Sequence, residues 1–277
     1  MMKYISPGAW FSLEYPDTWR EFEDTEDSFL FYNPDQWTGN FRISAYRGGT
    51  GFADACRAEE LGQVPGARRI SLGDWECVAS KENFQENNVW YTTWFWLTGA
   101  AETVIDCSFT TVKGESPRQG EEMVRTLRLR AQGERWPREV IPVRVLEINA
   151  INEAYDWAVS TLKKQLTKDF TSVEADIDSI QRVMDSGKFH SSQRQAWESF
   201  GIAFGAILVN EMDGMDWVTV VDGAKEYPAL RFAGSALMVD PAAIVWDKVR
   251  EGKSCSLRAE YERIRAQVED ILNADEA

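Results

Sequence analysis

The hydrophobic period of this chain changes once, and that change constrains its architecture more than any single motif. Up to about residue 130 apolar side chains tend to recur at every second position; beyond residue 143 most recur at helical spacing. Alternation marks strands with one buried face, and a 3.6-residue period marks amphipathic helices. Between the two regimes lies AQGERWPREVIPV, residues 131–143, which holds Gly133, Pro137 and Pro142 and has no period. Such a stretch reads as a linker. Two domains are therefore expected: an antiparallel α+β domain over 1–133 and a mainly helical domain with a three-stranded meander over 143–277. A length of 277 residues agrees with two domains.

In the first domain seven strands are predicted, over residues 10–15, 28–32, 40–46, 67–72, 75–81, 89–97 and 102–112. Gly73-Asp74 supplies a hairpin turn between two of them. One helix is expected from Phe52 to Leu61, capped by Gly62, and another from Ser116-Pro117 to about Leu129. In the second domain a long helix over 146–166 puts Leu146, Ala150, Ile151, Ala154, Trp157, Ala158 and Leu162 near one stripe and leaves Glu147 outside it. Shorter helices follow over 177–184, from Ser191 or Ser192 to Met212, over 241–250 and over 257–272. The helix ending at Met212 is apolar on more than one face, so it is expected to be the most buried. Its Gly201 and Gly205 allow another backbone to approach closely. Strands over 215–222, 228–233 and 236–239 complete the domain, turning at Asp222-Gly223 and Gly234-Ser235.

The string FSLEYPDTW, residues 11–19, resembles the opening of PsbP-like and DcrB-like domains, in which a strand runs into Tyr-Pro and then a Trp. The order of elements over roughly residues 4–130 is similar to that plan as well. The second half resembles an uncharacterised bacterial domain that follows such a domain in tandem. Its recognisable parts are WESFGIAFGAIL, DWVTVVD, YPALRF and LMVDPAAIVWDKVREG. The resemblance implies a fold, an antiparallel sheet with a flanking helix pair, and no established activity. Relatives of the N-terminal fold tend to bind other proteins, including effector chaperones of secretion systems, so it also implies protein binding.

Composition narrows the function classes. With 30 basic and 45 acidic residues the net charge is −15, the opposite of the basic footprint that nucleic-acid phosphates require. No apolar run reaches the roughly 18 residues of a membrane span. The first residues, MMKYISPGAWFSLEYP, lack the apolar core of a secretory signal. Four cysteines, none in a CxxC pair, suit a reducing cytoplasmic setting. Cys77 and Cys107 fall in two strands of one sheet, as buried thiols or as a bridge.

Catalytic signals are sparse. His190 is the only histidine, so a three-histidine metal site is impossible. Gly48-Gly49-Thr50-Gly51 precedes a helix but lacks the Gly-Lys-Ser/Thr ending of a phosphate loop. No metal and no cofactor is expected. Surface chemistry is richer. Glu21, Glu23, Asp24, Glu26 and Asp27 form an acidic segment between strands, a docking surface for a basic partner or a plain solvated loop. The chain holds 12 Trp, 14 Phe and 8 Tyr. Alternation in VWYTTWFWL puts Trp90, Trp94 and Trp96 on one face, either as core or as an exposed anchor row. Trp37 lies in a loop and is a candidate exposed contact. The expectation is a cytoplasmic, non-catalytic protein-binding module, of the toxin-antagonist or effector-chaperone kind. The rival expectations are a carboxylate-based hydrolase or transferase with a site between the domains, and a small-ligand carrier with a closed apolar pocket.

Overall fold

The computed structural model describes residues 1–25, 28–131 and 133–275; the side chains of residues 23–25 and 275 lie outside that description. The chain divides into two compact units, Met1–Ile141 with Val221–Glu226, and Pro142–Val220 with Tyr227–Ala277.

The first unit is α+β. Its elements are β1 (Met2–Ile5), β2 (Phe11–Tyr15), β3 (Arg20–Thr25), β4 (Ser28–Tyr32), β5 (Asn40–Arg47), α1 (Phe52–Gln63), β6 (Arg68–Leu72), β7 (Trp75–Glu86), β8 (Val89–Ala100), β9 (Thr103–Val112), α2 (Arg118–Thr126) and β10 (Arg128–Leu129). Seven strands make one sheet in the order β3-β4-β5-β9-β8-β7-β6, and β1-β2-β10 make a small second sheet. Register explains the core. Phe31 lies opposite Phe41, Phe41 opposite Phe109, and Phe109 opposite Trp94. A parallel row runs Phe29, Ile43, Cys107, Trp96 and Ala79. Both rows share a face with the cluster formed by Phe11, Leu13, Trp19, Met123 and Val124. Burying each large side chain there contributes about 1.5–3 kcal/mol. Gly120 lets α2 press onto that face, because a Cβ there would lie 2.6 Å from the Cβ of Phe109. On the opposite face α1 packs over part of β7, β8 and β9. Phe22, Leu30, Tyr32, Tyr91 and Phe95 share that face in register and stay partly exposed.

Two expectations need correction here. The acidic segment is not simply a loop: Arg20–Thr25 forms edge strand β3, paired with β4. Acids masked its alternation, yet an edge strand tolerates charge and is protected by it from pairing with other chains. The short β1 and β10 were also unforeseen, since two to four residues give too little period to read.

The second unit contains α3 (Val145–Leu166), α4 (Ile177–Met184), α5 (Arg194–Glu211), α6 (Pro241–Arg250) and α7 (Leu257–Asp275). Strand β11 (Glu139–Pro142) falls mostly in the first unit, whereas β12 (Met215–Asp222), β13 (Lys225–Phe232) and β14 (Met238–Val239) run mostly in the second. Helix α5 carries the centre of the core, with Phe200, Phe204, Ile207 and Leu208 fully buried. A Cβ on Gly201 would sit 2.2 Å from the Pro241 carbonyl oxygen, and one on Gly205 would sit 2.8 Å from the Trp217 ring. Only glycine therefore lets the start of α6 and the Trp217 ring approach this closely. The long helix departs from its predicted stripe. Leu146 is 54% exposed and Trp157 38%, whereas Glu147 is buried. Glu147 is held by Arg144, whose Nε donates at 2.8 Å, and by the Thr219 hydroxyl at 3.0 Å. The Arg144 amide in turn donates to that hydroxyl at 3.2 Å. A carboxylate counted as solvated is thus the polar heart of this unit.

Candidate functional site

A group of exposed apolar side chains sits at the outer end of the β7–β8 hairpin. Asn87 and Asn88 have φ of 48° and 63°, which are the two left-handed positions a two-residue type I′ turn demands. Glu86 therefore faces Val89, Gln85 faces Trp90 and Phe84 faces Tyr91. Strand β9 pairs with β8 only from Tyr91 onward, opposite Val112. The Lys113 amide just after β9 still donates to the Trp90 carbonyl at 2.9 Å, so the pair Glu86 with Val89 and the turn extend beyond it as a two-stranded tip. Residues 81–90 are all exposed.

Apolar rings crowd this tip. Trp90 is 48% exposed, Val89 and Val112 are 40%, and Phe84 is 37%. Phe84 stacks on Tyr91 with centroids 5.4 Å apart, and Trp37 meets the same Tyr91 edge-on at 6.0 Å. On the other side of the hairpin the Lys113 ammonium lies 4.8 Å from the Trp90 ring centre. The base is stiffened by a Thr92 to Asn83 hydrogen bond of 2.7 Å and a Thr93–Thr110 hydroxyl pair at 2.9 Å. The Trp37 loop is also fixed. Asn33 Oδ1 accepts from the Asp35 amide at 3.0 Å, and Thr111 donates to the Thr38 carbonyl at 3.0 Å. These rings are preorganised, so holding them in place adds little ordering cost on contact.

The predicted residues separate on this frame. Trp37 and Trp90 are exposed, and Trp37 joins the ring cluster through Tyr91. Trp96 is 2% exposed and belongs to the core. Trp94 is half-buried and stacks on Phe109. The three tryptophans do share one face, but that face is covered at Trp96, where Gly120 of α2 lies against the ring, and open at Trp90. Trp96 is therefore corrected from partner contact to core. Glu21 is half-buried on β3; burial first, and the Glu21 charge second, push the Tyr15 hydroxyl up to about 12. Glu23 and Asp24 lie on β3 with side chains outside the described atoms, and Glu26 and Asp27 lie outside the described residues. Phe84, Tyr91 and Val112 were missed. Their signal was the Asn-Asn pair, which extends both strands to the turn.

Groups with chemistry lie elsewhere. All four cysteines are free thiols. Burial pushes the thiols of Cys77 and Cys107 up, which makes them poor nucleophiles. His190 is exposed, with Nδ1 2.8 Å from the Ser192 hydroxyl. No group of three His, Cys, Asp or Glu among the described residues is arranged to hold a metal. No helix among the described residues is long and apolar enough to cross a membrane.

Comparison with known proteins gives a family and no activity. A family model described as a domain of unknown function, DUF3805, matches residues 1–152, and a second, DUF3806, matches residues 176–261. A crystal structure from Bacteroides thetaiotaomicron is 48% identical, covers 94% of this chain and 97% of that one, and superposes with a TM-score of 0.91. Cyanobacterial PsbP (CyanoP) from Synechocystis is 10% identical over 46% of this chain and 91% of that one, with a TM-score of 0.27. LpqN of Mycobacterium tuberculosis is 13% identical over 42% of this chain and 79% of that one, also with a TM-score of 0.27. No curated protein matches.

Proposed function

The chain belongs to the DUF3805 family, with a DUF3806 domain following in tandem, and from that premise we propose that it is a non-catalytic protein-binding module whose contact is the outer β7–β8 hairpin with Trp37. One observation carries the reading: a preorganised set of rings, Trp37, Phe84, Trp90 and Tyr91, displayed at a hairpin tip. Tryptophan and tyrosine are favoured anchors at interfaces, and clustered exposed rings are uncommon on surfaces without a partner.

The partner is a protein with a basic surface, met in the cytoplasm, not a nucleic acid or a membrane. The net charge of −15 supports that choice, because charge complementarity speeds association and suppresses wrong partners. A toxin antagonist or an effector chaperone fits this chemistry. The PsbP-like and DcrB-like motif FSLEYPDTW supports the same direction by analogy of fold.

The test replaces Phe84 and Trp90 together with serine. Both side chains are exposed, so the variant should melt with the native protein. Immobilised native chain should retain a specific protein that elutes with salt, and the double variant should lose at least nine-tenths of it. Equal retention by both proteins would contradict the reading.

A further inference from the structure

A second surface lies at the other end of β8, roughly 35 Å of strand from the hairpin tip. It is a half-open groove of about 960 Å3 between the β6–β7 turn, the β8–β9 turn and the segment Arg125–Arg130. That volume is within the ~300–1,000 Å3 of ordinary ligand sites. On a chain of net charge −15 the groove is lined by Arg47, Arg125, Arg128 and Arg130, against Glu14, Asp74 and Glu102. Four guanidiniums against three carboxylates leave an excess of one positive charge. The carboxylates come singly from separate elements, whereas three of the arginines fall within six consecutive residues.

The arginines are poorly partnered. Arg125 reaches Glu121 only at 3.6 Å, and Arg47 lies over the Trp10 ring at 4.4 Å. Arg128 and the half-buried Arg130 pair with no carboxylate among the described residues. The backbone beside them is equally open. Strand β10 is the outer strand of the order β1-β2-β10. Arg128 lies opposite Ser12, and the Arg130 amide donates to the Trp10 carbonyl at 3.0 Å, so both turn their polar backbone atoms towards β2. Strand alternation then directs the N–H and C=O of Leu129 to the outer edge, and Leu129 lines the groove.

We propose that this groove binds an extended peptide segment carrying acidic side chains at alternate positions, which adds as a strand to the edge of β10. Arg128 and Arg130 are two apart, so they project to the same side of the strand. Side chains two apart on an added strand stand directly across from them, and opposite charges in such cross-strand pairs are stabilising. The Leu129 N–H and C=O supply the main-chain bonds that strand addition uses. Arg128 and Arg130 select two acidic side chains, and the carboxylates of Glu14, Asp74 and Glu102 in the same groove disfavour a polyacid. Inorganic anions, which use the guanidiniums and not the backbone edge, are the competing occupants. This site is independent of the hairpin reading, since the two surfaces share no residue.

The probe is a pentapeptide of alternating valine and glutamate with both ends blocked, titrated calorimetrically into the full chain at low salt. Saturable binding is expected, at least tenfold weaker for the valine–glutamine analogue and for a peptide N-methylated on alternate amides. Arg128→Gln/Arg130→Gln should lose at least tenfold in affinity with an unchanged melting temperature, and Arg128→Lys/Arg130→Lys should recover much of it. If the glutamine variant is unstable, the lysine variant and the two altered peptides still decide the matter. Absence of binding, equal binding of the N-methylated peptide, or binding of inorganic phosphate with the affinity of the peptide would overturn the proposal.

Discussion

The inner and outer halves of one hairpin have similar residues and opposite fates. Along β8, Trp96 is 2% exposed and belongs to the core cluster, while Trp90, on the same face of the same strand, is 48% exposed. Composition does not distinguish them. What differs is what lies above the sheet: side chains of α2, β1 and β2 pack on the inner half, whereas residues 81–90 at the outer end are exposed. A ring-rich strand is therefore core only over the length that its neighbours cover. Beyond that length the same residues become a surface that another molecule can use.

The comparison can be broken from either end. Trp96→Ala removes a buried ring against Phe109 and Gly120, and should cost about 3–5 kcal/mol by chemical denaturation. A loss under about 1 kcal/mol would mean that the inner half is no core. Glu147→Gln probes the polar counterpart in the second unit, where Arg144 is 1% exposed. It removes the carboxylate charge to which the Arg144 guanidinium and the Thr219 hydroxyl donate, and a loss of about 3 kcal/mol is expected. Equal stability of the variant would show that the buried pair is dispensable.

Asp106 sharpens the account of the face that α1 covers. Its carboxyl is pushed up to about 6, by burial first and by the charge of Glu60 second. A carboxyl raised in the folded state binds more protons there than in the unfolded chain. Its contribution is thus most favourable below about pH 4 and is lost as pH rises through about 6. Because the residue keeps solvent contact, the expected gain from Asp106→Asn is reduced to about 1 kcal/mol at pH 8, vanishing near pH 4. Melting curves of both proteins across that range check the sign. The smallest effect belongs to the tip: Trp90→Ala should change stability by less than about 0.5 kcal/mol. A larger loss would make Trp90 structural and weaken its assignment as an anchor.

The sequence was most legible where one physical rule acted alone. The bounds of α4 and α6 coincide with the helical spacing and with Pro241, and the core faces of β5, with Phe41 and Ile43, and of β9, with Cys107 and Phe109, follow from simple alternation. It was least legible where two rules competed. On β3 the acids obscured a strand whose Phe22 lies opposite Leu30 and stacks on Tyr32. On α3 an apolar stripe was visible, but no local signal says how far a neighbour covers it, so Leu146 and Trp157 are exposed. Glu147 is buried because Thr219, 72 residues away, accepts the Arg144 amide and donates to its carboxylate. The site was half legible for the same reason. Trp37 and Trp90 could be named from pattern, but which tryptophans are covered depends on how far α2 and β2 reach across the sheet.

Hydrogen exchange of the native chain, free and saturated with the protein it retains, tests the central claim most directly. The account predicts that backbone amides between Asn83 and Tyr91 slow on binding while those of the α5 core are unchanged. Unaltered exchange along that tip, with protection arising on another surface, would contradict it.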